Sequence, residues 1–133
     1  LAAVLEGIAF NHRVHVDALR EGFPATNIRL TGGISRNPLI VQLFADVLGL
    51  PVTVSATEEA AAWGAALCAG AAVDLYADFD ADPRPMPALD TRFEPDPDGQ
   101  AVREQRYQLH RQLAQGLIPH WDALAALEAS ATQ

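Results

Sequence analysis

Ile28-Arg29-Leu30-Thr31-Gly32-Gly33-Ile34-Ser35-Arg36-Asn37-Pro38 is a short strand-forming run that stops at two glycines and restarts at a proline suited to the first position of a helix. Glycines at such a junction permit a tight turn and let backbone approach a ligand without a Cβ in the way. Exposed N–H groups there, together with the positive end of a helix dipole, favour an anion, and phosphate is the usual one. The turn lacks the third glycine of Gly-x-Gly-x-x-Gly and the Gly-Lys-Ser/Thr ending of a P-loop, so neither of those phosphate-binding devices is present. By itself the glycine pair also fits an ordinary strand-to-helix turn.

Three further elements follow in order. Pro38-Leu-Ile-Val-Gln-Leu-Phe-Ala-Asp-Val-Leu-Gly49 reads as an amphipathic helix closed by glycine, Leu50-Pro-Val-Thr-Val54 as a strand, and Glu58-Glu-Ala-Ala-Ala-Trp-Gly-Ala-Ala-Leu67 as a second helix. Together with the Gly-Gly turn, this set resembles the FGGY carbohydrate kinases from about Leu5 to Gly70, with a weaker match through Trp121. The resemblance implies an α/β fold: a lobe of the ribonuclease-H-like, actin-like ATPase class, incomplete because members of the family close two lobes over ATP and sugar. It also places the other lobe upstream of Leu1, in keeping with a chain that opens inside an amphipathic pattern without an initiator Met.

The resemblance further implies that the Gly-Gly turn lies against the phosphates of ATP and that an Asn four residues after the second glycine contacts adenosine. In this chain those positions are Gly33 and Asn37, and Gly32 and Ser35 complete the candidate nucleotide contacts. An amide side chain offers adenine or ribose both a donor and an acceptor. Asn37 is equally suited to cap the helix that starts at Pro38, and the two roles are compatible. Thr31 stands where some actin-like relatives carry Asp, and Arg36 is a second-tier candidate for offsetting phosphate charge. The cofactors implied are ATP and Mg²⁺. The catalytic base and the metal ligands are expected upstream, so no catalytic residue is assigned within this chain.

The chain has 133 residues, half of them hydrophobic, which suffices for one domain with its own core. Seventeen acids against nine arginines and no lysine give a net charge of −8, which argues against nucleic acid or an anionic membrane as partner. No apolar run approaches the about 18 residues of a membrane span, and no signal peptide is visible, although a truncated start would conceal one. The single cysteine, Cys68, cannot form an internal disulfide and reads as a buried apolar residue of an alanine-rich helix, a pattern that fits the cytoplasm. A homodimer is compatible with the sequence but not specified by it.

The organisation has three parts. Residues 1–72 form the core: a helix from Leu1 to about Glu21, the strand–helix–strand unit from Ile28 to Val54, and a helix to about Gly70, opened by a capping box of Ser55 and Glu58. Residues 73–99, rich in aspartate and proline, read as an irregular surface connection without the spacing of a calcium loop. Residues 100–133 return to helical pattern, with an interruption expected at Pro119.

The remaining candidates favour structural roles. Glu58 and Glu59 are adjacent, so on a helix they point apart and cannot work as a carboxylate pair. His12, His15, His110 and His120 are scattered and lack zinc-site spacing. Trp63, Trp121, Tyr107 and the phenylalanines are not interleaved with arginine and are expected in the core. Gly64 is expected where a neighbouring element packs closely on its helix. The resemblance implies that the chain is the ATP-binding lobe of a kinase acting on a ketopentose or related polyol, inactive in isolation. The alternative is a noncatalytic nucleotide-binding or interaction module.

Overall fold

The computed structural model describes residues 2–56, 59–78 and 91–131. The elements run α1 (Ala2–Arg20), β1 (Ile28–Leu30), a 3₁₀ turn (Gly33–Arg36), α2 (Pro38–Leu48), β2 (Val52–Val54), α3 (Ala60–Ala72), β3 (Thr91–Phe93) and α4 (Gln100–Ala131). β1 and β2 pair in parallel through Ile28–Val52 and Leu30–Val54, with α2 as the crossover between them. β3 adds antiparallel to the far side of β2, setting Val54 opposite Thr91 and Val52 opposite Phe93.

The core forms where α1, α2 and α4 meet around β2. Ala9 and Phe10 of α1, Val41, Phe44, Ala45, Val47 and Leu48 of α2, Leu50 just after it, Val52 of β2 and Tyr107 of α4 make one cluster. α2 supplies half of it because its apolar residues cover much of its circumference, as a helix enclosed between a sheet and two other helices requires. Val41, Val47 and Val52 are fully buried, and each side chain removed from water is worth about 1.5–3 kcal/mol. The helix ends as its sequence dictates: Pro38 occupies the first turn, and Gly49 closes it in the left-handed conformation at φ 62°.

A polar network anchors the entry to α4. Asp46, on α2 and buried, accepts from Gln42 Nε2 at 2.8 Å and from the Asp96 backbone N–H at 2.9 Å. Arg103 donates to the carbonyls of Asp96 at 3.0 Å and Asp98 at 2.8 Å, and its guanidinium lies 3.5 Å from Asp46. A buried carboxylate is tolerated here because donors from the loop and from α4 converge on it.

Several expectations are corrected. The segment after α3 is not wholly irregular, because it contributes β3, a strand too short and too closely flanked by Pro95 and Pro97 to show a period of two. α4 is continuous through Pro119. The helix is exposed around that position, so water can satisfy the carbonyl that proline leaves without a donor. Cys68 is exposed, because α3 buries only Leu67 and Gly70 among the described residues. Trp121 and Phe23 lie on the surface and Trp63 is half-buried. A Cβ at Gly64 would meet nothing within 4 Å among the described residues. The close approach on α3 is at Gly70, where a Cβ would lie 2.5 Å from the Tyr76 ring. The expected Ser55–Glu58 capping box involves Glu58, which lies outside the described residues; α3 begins at Ala60, after Glu59.

Candidate functional site

A cleft of about 240 Å³ opens at the carboxyl ends of β1 and β2. It is lined by Gly32, Ser35 and Arg36 from the loop after β1, by Val54, Ser55, Ala56 and Glu59 from the end of β2 to the start of α3, and by Thr91 of β3. Ligands of open α/β sheets bind outside the carboxyl ends of parallel strands, which is where this chain places its glycine turn.

Gly32 shapes the floor. Its φ of 85° and ψ of −169° fall in a region open essentially to glycine alone. Its carbonyl accepts from Ser35 twice, from the backbone N–H at 3.1 Å and from the hydroxyl at 2.7 Å. This pair of hydrogen bonds across three residues curls the chain into the 3₁₀ turn that follows. The turn, which starts at Gly33, lies between Gly32 and α2, and the helix begins at Pro38 as the sequence pattern implied.

Asn37 sits at the junction of the two. Its side-chain Oδ1 accepts from the Leu39 N–H at 3.0 Å, and its carbonyl accepts from Ile40 and Val41 at 3.0 and 3.1 Å. It is thus the N-cap of α2. Gly32 and Ser35 line the cleft, whereas Gly33 and Asn37 are exposed on the same loop outside its lining. Arg36 and Glu59 form an ion pair that ties the end of the 3₁₀ turn to the start of α3. Glu59, Ser55 and Thr91 were not among the candidate contacts. Glu59 reaches the cleft because β1 and β2 are parallel neighbours, which brings the residues after each strand to the same edge.

The lining suits a phosphate-bearing ligand in part. It offers a guanidinium, two serines and a backbone without a Cβ at Gly32. It fits Mg²⁺ less well: among the described residues its one carboxylate, Glu59, is engaged by Arg36, and no group of three or more His, Cys, Asp or Glu could hold a metal ion. No helix among the described residues is long and apolar enough to cross a membrane.

Comparison with known proteins extends these observations. The model of the FGGY family of carbohydrate kinases, C-terminal domain, matches residues 1–73. The chain is 30% identical over 118 residues to the L-xylulose/3-keto-L-gulonate kinase of Escherichia coli strain K12, covering 88% of this chain and 24% of that protein. It is 39% identical over 109 residues to the glycerol kinase of Clavibacter michiganensis, covering 80% of this chain and 21% of that protein. Among solved structures, xylulose kinase from Rhodospirillum rubrum superimposes with a TM-score of 0.67 at 28% identity, over 90% of this chain and 25% of that one. The chain therefore spans about a quarter of the length of these relatives. Its architecture is that of a mixed α/β piece of the actin-like ATPase fold of these kinases. The matched segment, residues 1–73, carries α1, the glycine turn and α3, and through it the chain belongs to the FGGY family of carbohydrate kinases as part of their C-terminal domain.

Proposed function

We propose that this lobe binds the phosphates and adenosine of MgATP in a kinase that transfers the γ-phosphoryl group to a hydroxyl of a ketopentose or related polyol. The observation that carries the reading is the cleft at the carboxyl edge of β1 and β2, whose floor is the glycine-only conformation of Gly32. At about 240 Å³ the cleft holds part of a nucleotide, since sites for whole ligands of this size run to about 300–1,000 Å³. The rest of the site, the sugar pocket, the proton-accepting base and the Mg²⁺ ligands belong in this reading to residues outside this chain. Residues 1–72 make the core of the lobe, 73–99 an acidic connection and 100–133 a terminal helical segment.

In that arrangement Gly32 and Gly33 bring backbone close to phosphate, Ser35 and Arg36 contact its oxygens, and Asn37 reaches the adenosine. MgATP supplies the phosphoryl group. The residues of this lobe act by positioning it and by excluding water as the two lobes close, not by moving a proton. The chain alone binds nucleotide without turnover, and the lone exposed cysteine fits a reducing cytoplasm.

The test is phosphoryl transfer from MgATP by the intact protein across a panel of ketopentoses, glycerol and related polyols. Sugar-dependent ADP release supports the proposal. Nucleotide binding without turnover on any acceptor supports the noncatalytic module instead.

A further inference from the structure

The Arg36–Glu59 pair bridges two segments of the cleft lining, and both side chains are largely exposed, at 63% and 72%. An ion pair this open to water adds little to stability, so the fold gives no energetic reason for it. Glu59 is moreover one of two non-glycine residues with positive φ among the described residues, at 50°. A glutamate is uncommon in that conformation, and such conformations cluster at functional sites. It directs a carboxylate toward Arg36, the one cation among the described residues that line the cleft.

Taking the cleft as the nucleotide phosphate site, we propose that Arg36 and Glu59 form a charge-exchange latch: the guanidinium passes from the Glu59 carboxylate to the nucleotide phosphates, and Glu59 thereby sets the affinity. A planar guanidinium serves carboxylate and phosphate with the same two-pronged geometry, so the exchange needs a side-chain rotation and no rebuilding of the loop. A polyphosphate carries several negative charges against one on Glu59 and wins the competition. The released carboxylate is not stranded. The Glu59 carbonyl accepts from Trp63 N at 3.0 Å, which places the residue at the first turn of α3, where the helix dipole favours a negative charge. Competition from Glu59 costs affinity in exchange for an arginine kept at the mouth of the site in a defined position.

The experiment is calorimetric titration of MgATP into the intact protein, comparing wild type, Glu59→Gln, Arg36→Gln and the double variant, with thermal melts to confirm folding. Glu59→Asn serves as a second charge-removing variant, because Asn tolerates the left-handed conformation. Removing the competing carboxylate should tighten binding by about three- to tenfold in either Glu59 variant, and Arg36→Gln should weaken it by at least as much. In the Arg36→Gln background the gain from Glu59→Gln should vanish, since the two residues act as one unit. Unchanged or weaker binding in both Glu59 variants overturns the latch, as does a gain that persists without Arg36. Absence of MgATP binding in the wild type overturns the reading of the cleft itself, an outcome distinct from failure of the latch.

Discussion

The Tyr107 hydroxyl donates to Asp17 Oδ2 across 2.8 Å, joining α4 to α1 over ninety residues of sequence. Around this bond Arg13 stacks its guanidinium 4.0 Å from the centre of the Tyr107 ring and pairs with Glu104 at 2.5 Å, while Phe10 packs against the ring with centroids 5.7 Å apart. A tyrosine that is 1% exposed has thus satisfied its polar end on α1 and its ring in the core. Burial, then the hydrogen bond and negative charge of Asp17, push its pKa from 10.0 up to about 12.

The sign of the resulting pH dependence follows. The phenol is harder to ionise in the fold than in the unfolded chain, so its contribution is complete below pH about 10 and is lost as pH rises from 10 to 12. The chain has no lysine to titrate in this window. Tyr107→Phe should cost about 1 kcal/mol at neutral pH and flatten the loss of stability between pH 10 and 12. Urea unfolding at neutral and alkaline pH checks both. Glu104 behaves in the opposite sense. Its hydrogen bond from Gln108, then that from Arg13, hold its carboxyl below 4.5, so the stability it adds is present above that pH and is lost as pH falls through the lowered value.

Gly70 and Gly64 lie on the same helix and should respond oppositely to alanine. At Gly70 the new Cβ would lie 2.5 and 2.6 Å from two carbons of the Tyr76 ring, so Gly70→Ala should destabilise by about 1–3 kcal/mol. At Gly64 it meets nothing within 4 Å among the described residues, and Gly64→Ala should stabilise by up to about 1 kcal/mol through helix propensity. Denaturant midpoints of the two variants decide. A loss at Gly64 equal to that at Gly70 would mean that a segment beyond the described residues packs there.

Asn37 separates a structural role from a binding role. Asn37→Ala removes the cap on α2 and should cost about 1 kcal/mol of stability, while raising the KM for ATP more than that for sugar in the intact protein. Asn37→Ser keeps a capping oxygen but shortens the side chain and removes its amide, so stability should return and the KM for ATP should stay raised. If Asn37→Ser restores both, Asn37 acts through the cap alone.

Much of this architecture was legible in the sequence because it is local. Periodicity marked α1 and α2, Pro38 and Gly49 fixed both ends of α2, and β-branched residues marked β2. What escaped depended on partners distant in the chain. β3 exists because β2 offers it an edge, the Asp46–Arg103 network because α4 returns over α2, and the Arg36–Glu59 pair because parallel strands deliver two loops to one end of the sheet. Cys68 and Gly64 were misjudged for a related reason: alanine-rich helical pattern reports a face that can be covered, and the described residues leave most of α3 open.

The central claim, that the glycine loop receives nucleotide phosphate, is tested most directly by a crystal structure of the intact protein with Mg²⁺ and a nonhydrolysable ATP analogue. The account predicts phosphate oxygens within hydrogen-bond distance of the Gly32–Ser35 loop, with Arg36 turned from Glu59 toward them. A nucleotide bound elsewhere, with the loop and the ion pair unchanged, would contradict it.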